Sequence, residues 1–156
     1  MEFIDPRLNE YVEKHTSAEA ELLNRINRQT NLEVLRPRML SGHLQGRILA
    51  AISQMIRPAY ILEVGTYTGY SALCLAEGLQ PTGRLITIEK NVELEARIRG
   101  YFAESSRAQQ LELLIGDAIK IIPGLENGMD LVFIDADKIN YLNYYHLVID
   151  KLKPGG

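Results

Sequence analysis

The chain has 156 residues, 46% hydrophobic and 24% charged, a profile that fits one soluble globular domain burying roughly 70% of its unfolded surface. A formal net charge of -3 gives no electrostatic reason to expect nucleic acid or an anionic membrane as partner. The opening Met1-Glu2-Phe3-Ile4-Asp5-Pro6 carries no basic segment followed by an apolar core, no apolar run approaches the ~18 residues of a membrane span, and the single cysteine, Cys74, cannot close an internal disulfide, so a reduced, cytoplasmic setting is expected.

Three helical segments come first. Asp5 to His15 starts with an N-cap aspartate followed by proline. Ser17 to Arg28 is read with Ser17 as N-cap, acid in the first turn, and Ala18, Leu22, Leu23 and Ile26 at helical spacing. Gly42 to Ile56 is read with Leu44, Ile48, Leu49, Ile52 and Ile56 on its buried face. After Pro58 the pattern becomes an alternation of strand and helix. Strands are expected at Tyr60 to Val64, Arg84 to Glu89, Leu111 to Ile115 and Asp130 to Ile134. The helices between and after them are Gly69 to Leu79, with Cys74 on its apolar side, Asn91 to Glu104, a short one around Ala118 to Ile122, and Asn140 to Leu152. This alternation implies βαβ units with right-handed crossovers, an α/β fold with a doubly wound parallel sheet of the Rossmann-like kind. The chain reads as a single domain, with N-terminal helices over residues 1–57 and a βα core over 58–156. Lys153-Pro154-Gly155-Gly156 is a helix terminator after which a fifth strand is expected, so the sheet reads as incomplete after strand four and the sequence as a C-terminally truncated fragment.

The most informative stretch is Ile61-Leu62-Glu63-Val64-Gly65-Thr66-Tyr67-Thr68-Gly69-Tyr70-Ser71, a strand, a glycine loop and a helix start. A dinucleotide pyrophosphate needs glycines spaced G-x-G-x-x-G. Here Tyr67 occupies the middle glycine position and Thr68 follows it, which speaks against a nicotinamide dinucleotide. Glu63 at the strand end suits a ligand without phosphate and with positive charge, and S-adenosylmethionine is such a ligand. Glu89 ends the next strand, 20 residues beyond Gly69, where a carboxylate can accept both ribose hydroxyls; alone it reads rather as a solvated partner of Lys90, and the Gly65 loop turns the reading to the ribose. Asp117, in Gly116-Asp117-Ala118, is in range of an adenine amino group and is also a plausible helix N-cap.

Glu63-Val64-Gly65-Thr66-Tyr67-Thr68-Gly69-Tyr70-Ser71, Leu85-Ile86-Thr87-Ile88-Glu89 and Phe133-Ile134-Asp135-Ala136-Asp137-Lys138 together resemble the class I S-adenosylmethionine-dependent O-methyltransferases, in particular the cation-dependent catechol and caffeoyl-CoA branch. The likeness runs from about Arg38 to Gly156 and is most specific at Phe133 to Lys138 followed by Tyr141. It implies a methyltransferase fold and a cofactor site made by Met39, Ser41, Glu63, Gly65, Tyr67, Gly69, Ser71, Glu89, Asp117, Ala118 and Asp135. Further, it implies that Asp135 ligates a divalent cation, magnesium or calcium, and that Lys138 takes the proton of an acceptor hydroxyl. The family's further ligands, an Asp-Asn pair after Pro-Gly-Gly, are absent from this sequence, so weak metal binding is expected.

The acceptor is expected to be a small hydroxylated molecule such as a catechol, with phenol, acyl-CoA ester and modified tRNA uridine left open. Arg36 and Arg38 suit an acidic acceptor tail, and Tyr141, Tyr144 and Tyr145 could stack on an acceptor ring. His15, His43 and His146 form no hydrolase triad. The amphipathic Asp5 to Arg28 region suggests a homodimer. The alternative is a non-catalytic S-adenosylmethionine-binding module, or an inactive fragment, acting through partner contacts.

Overall fold

The computed structural model describes residues 5–156, built on four parallel strands: β1 Tyr60–Val64, β2 Arg84–Glu89, β3 Leu111–Ile115 and β4 Leu131–Ile134. Residues 1–4, read above for the absence of a leader, lie outside that description. The strands stand in the order β3-β2-β1-β4. Ile61 pairs with Leu85 on one side and with Leu131 on the other. The chain thus winds outward from β1 to β3 and then returns across β1 to place β4, which makes the carboxyl ends of β1 and β4 a topological switch point, where open α/β sheets bind ligands.

Helices cover both faces. On one lie α2 Glu21–Glu33, α3 Gly42–Ile56, α4 Tyr70–Ala76 and α5 Glu95–Glu104, packed with Ile61, Leu85 and Leu113. On the other, α6 Ala118–Ile121 and α7 Tyr141–Val148 pack with Tyr60, Leu62, Val64, Ile86 and Ile88. Successive residues of β1 serve opposite cores, which is why all five are apolar or buried. Ahead of these lies α1 Pro6–His15, where Asp5 caps the helix through the Arg7 amide at 2.9 Å. No helix among the described residues is long and apolar enough to cross a membrane.

Several sequence expectations are corrected here. Ser17 caps nothing: α2 begins at Glu21 with Ala20 as N-cap and runs to Glu33, burying Leu23, Ile26 and Thr30. The buried face of α3 is Gly46, Leu49, Ala50 and Ser53, whereas Leu44, Ile48 and Ile56 are exposed. The reason is a close crossing with α4. A Cβ on Gly46 would lie 2.7 Å from the Tyr70 ring and 2.8 Å from Cys74 Sγ, and one on Gly78 would enter the Ser53 backbone. Small residues make that contact, and hydropathy does not mark them. Arg47 reaches across the same crossing to Glu77 at 2.5 Å. Cys74 is buried, and loss of hydration pushes its thiol up to about 12.

Asp130, expected to open strand four, instead stands just before it and caps β1. Its Oδ2 accepts from the Ala59 and Tyr60 amides at 2.8 and 2.9 Å, and Oδ1 meets Lys153 at 2.6 Å. Partial burial works against its charge, but Lys153 and the two amides outweigh it and hold the carboxyl below its usual range. Asp130→Ala is expected to cost about 1–2 kcal/mol, because two strand-end amides lose their acceptor. Urea denaturation checks this, and an unchanged midpoint would contradict the assigned role.

Candidate functional site

A cleft of about 1070 Å³ opens at the switch point. Its walls are the loop from Gly65 to Ser71, Ile88 and Glu89 at the end of β2, Gly116 to Ala118 before α6, Asp135 to Lys138 after β4, and the segment between α2 and α3. Each wall follows the carboxyl end of a strand except the last, which the N-terminal helices supply.

Gly65 has φ +99° and donates its N–H to the Ile88 carbonyl at 3.0 Å. A Cβ there would lie 2.8 Å from the Asp135 carbonyl carbon and 3.1 Å from Ala136 Cα. This glycine therefore lets the loop rest on the backbone after β4. Gly69, at φ +86°, stands before α4, and a Cβ on it would meet the Phe102 ring at 2.8 Å. It faces the core and does not line the cleft, so its expected ligand contact is replaced by a turn-forming role.

Between them Tyr67 takes φ +51°, a left-handed conformation that L side chains seldom adopt. Its N–H donates to Glu89 Oε2 at 2.7 Å, while Asn91 N–H donates to Oε1 at 2.8 Å. Glu89 is thus an organiser of the loop and not a partner of Lys90. Two of its roughly four acceptor positions are used, and the others can take hydroxyls in the cleft.

Glu63 lies under the loop with no exposed surface and is absent from the cleft wall. This corrects the expectation that it contacts a ligand directly. Thr87 donates to its Oε2 at 2.5 Å, and Thr66 Oγ1 stands 2.5 Å from Thr87 Oγ1, so Thr66 completes a buried chain of hydroxyls. Oε1 accepts no hydrogen bond of good geometry. Burial raises the carboxyl to about 7; the Ser71 and Thr87 hydroxyls oppose the shift, and the charges of Asp135 and Glu89 add to it. Ser71 does line the cleft.

Of the remaining expected residues, Met39, Ser41, Asp117, Ala118, Asp135 and Lys138 all line the cleft. Met39 is exposed rather than packed in the core. Asp117 does act as a cap, accepting from Ile119 N–H at 3.1 Å, while keeping its place in the wall. Burial raises the Asp135 carboxyl, and the Lys138 charge opposes that shift. Asp137 is committed elsewhere, accepting the Tyr144 hydroxyl at 2.7 Å and capping Asn140 at 3.1 Å. Tyr141 lines the cleft, and Tyr144 is 4% exposed. Sequence reasoning missed Thr68, Ile88 and Arg97 as wall residues; Ile88 could have been inferred from its place before Glu89. Among the described residues no group of three or more His, Cys, Asp or Glu could hold a metal ion. Among the described residues Asp135 supplies a single carboxylate there, too few oxygen ligands for a cation centre.

A family model described as O-methyltransferase matches residues 13–156. The chain belongs to the O-methyltransferase family. A catechol O-methyltransferase of Mycobacterium tuberculosis is 34% identical over 120 residues, which span 76% of this chain and 54% of that protein. One from Niastella koreensis is 36% identical over 115 residues, 71% of this chain and 52% of that protein. A methyltransferase of Podospora anserina solved with bound SAH superposes with a TM-score of 0.89 at 28% identity, covering 100% of this chain and 71% of that one. The chain thus spans about half the length of the curated O-methyltransferases it matches, and its architecture is the Rossmann-like fold of the solved ones.

Proposed function

We propose that this O-methyltransferase chain binds S-adenosylmethionine in the switch-point cleft and serves methyl transfer to a hydroxyl of a small, catechol-like acceptor. The observation that carries the reading is Glu89, a carboxylate on the cleft wall with unused acceptor positions, bonded to a loop whose middle position is Tyr67 instead of glycine. The orphaned, buried Oε1 of Glu63 close behind that loop suits a ligand carrying positive charge. When bound, S-adenosylmethionine supplies a methyl group on a cationic sulfur, and the acceptor oxygen–carbon bond forms as the carbon–sulfur bond breaks.

In this reading Glu89 holds the ribose hydroxyls, Asp117 meets the adenine amino group, and Ser71 with the loop backbone holds the amino-acid end. Met39 and Ala118 close the site around the ligand. Lys138 beside Asp135, once in its neutral amine form, receives the acceptor proton, and Tyr141 flanks the acceptor. Joining an oxygen nucleophile to a cationic methyl donor makes positioning and exclusion of water the main contributions of the protein. A homodimer formed through the N-terminal helices belongs to the same proposal. A divalent cation has support only from Asp135.

Titration calorimetry with S-adenosylhomocysteine is expected to show binding that Glu89→Ala weakens tenfold or more. That variant removes both the ribose acceptor and the anchor of the Tyr67 amide. No heat from a folded wild-type sample sinks the cofactor reading. A non-catalytic cofactor-binding module is the second reading, favoured by the lack of a metal-binding group among the described residues. Binding without methylation of any catechol in a panel favours that module.

A further inference from the structure

The Tyr67 hydroxyl leaves the floor of the cleft and reaches the opposite rim. It donates toward the Leu35 carbonyl at 3.1 Å and the Arg36 carbonyl at 3.3 Å. Arg36 has φ +60° and Tyr67 φ +51°. Among the described residues three non-glycine positions take positive φ, and two of them meet in this one contact. An L residue keeps that conformation only where its surroundings over-determine it. For Tyr67 the surroundings are Glu89 at its amide and the rim carbonyls at its hydroxyl.

The rim itself has little else to hold it. Leu35 is 85% exposed and Met39 56% exposed, and Arg36 and Arg38 lie in solvent. Its backbone bonds are local, Met39 N–H to the Arg36 carbonyl at 2.9 Å and Leu40 N–H to the Pro37 carbonyl at 3.1 Å. Only Val34 and Leu40 at its two ends pack against the core. The hydroxyl of Tyr67 is therefore a cross-tie between the loop under the ligand and the wall over it.

We propose that Tyr67 is a positioning residue whose hydroxyl latches residues 34–41 against the loop and thereby sets how fast a ligand leaves the cleft. The ligand's identity rests on the cofactor reading; the latch does not. Opening the rim means breaking a partly solvated hydrogen bond and releasing two strained residues, so opening is frequent but not free. Entry and departure both pass through the open rim, so the latch slows both, and affinity changes less than either rate.

Tyr67→Phe keeps the ring and removes only the hydroxyl. In the unliganded protein, hydrogen exchange at Met39 and Leu40 is expected to quicken about threefold to tenfold, the worth of one such bond. S-adenosylhomocysteine should dissociate faster by a similar factor and associate faster as well, so that its dissociation constant shifts less than its off-rate. Exchange that quickens equally in β1 and β2 identifies a general structural effect and overturns the latch, as does unchanged exchange at residues 36–41. If wild type binds S-adenosylhomocysteine but the variant releases it no faster, the latch falls and the cofactor reading stands. If wild type binds none, the cofactor reading falls and the exchange comparison alone decides the latch.

Discussion

Gly65→Ala is expected to weaken S-adenosylhomocysteine binding by at least a hundredfold and to lower stability by about 2–4 kcal/mol. Two costs combine. At φ +99° an alanine is strained by about 1–2 kcal/mol whatever the space around it. Its Cβ would also press on backbone, 2.8 Å from the Asp135 carbonyl carbon and 3.1 Å from Ala136 Cα. Backbone at the end of a paired strand cannot yield as a flexible side chain does, and overpacking of this kind costs about 1–3 kcal/mol. The strain is relieved only by lifting the loop from β4, which carries Tyr67 away from Glu89 and deforms the two sides of the cleft together. Gly124→Ala, whose Cβ would meet nothing within 4 Å, is the matched control. Denaturation and calorimetry on both variants decide the matter, and binding by Gly65→Ala within threefold of wild type would refute it.

Glu63→Gln is expected to change the pH dependence of stability. The carboxyl titrates near 7 in the folded chain against an ordinary value of 4.5. Between those values the folded protein keeps a proton that the unfolded chain has lost. The cost of burying the charge is therefore absent below about pH 4.5, grows through that window and is complete above 7. Its full size is on the order of 3 kcal/mol. Glutamine can still accept from Thr87 through its carbonyl oxygen, and its amide donors face the site of the orphaned Oε1, so part of the gain is offset by an unpaired donor at about 1 kcal/mol. Wild type should lose about 3 kcal/mol of stability from this group between pH 4.5 and 8, and Glu63→Gln should lose none of it. At pH 8 the variant should be the more stable by about 2 kcal/mol. Parallel stability profiles for the two proteins across that range would show that Glu63 is ionised at its ordinary value.

Strand bounds were legible in the sequence because β1, β2 and β3 are short apolar runs flanked by turn residues, and the structure places them at the expected residues. The sheet's parallel, doubly wound character followed from the alternation with helices, and the switch point from the loop after β1. The local caps Asp5 and Asp117 were visible for the same reason: each satisfies an amide two residues away. What escaped is long-range. The true face of α3 depends on Gly46 and Ser53 meeting α4, a packing event with no periodic signature. Glu63 looked like a ligand contact because a strand-end carboxylate usually faces the cleft, whereas here its side chain turns under the loop to Thr87. Thr30 meeting Thr68 at 3.1 Å and Tyr67 meeting Leu35 join residues that no local rule connects.

The order of the strands also governs how the molecule is built. β1, at the centre, finds β2 soon after it in the chain but must wait for β4, which lies near the other end. Pairings of such separation are paid for in chain entropy before they return any contact, and they slow folding. Gly65 rests on the backbone of Asp135 as well as on β2, so one side of the loop's support is missing until β4 has docked. A chain released from the ribosome without β4 would carry the whole glycine motif and still lack a cleft. Closure of the cleft therefore depends on a pairing between distant parts of the chain.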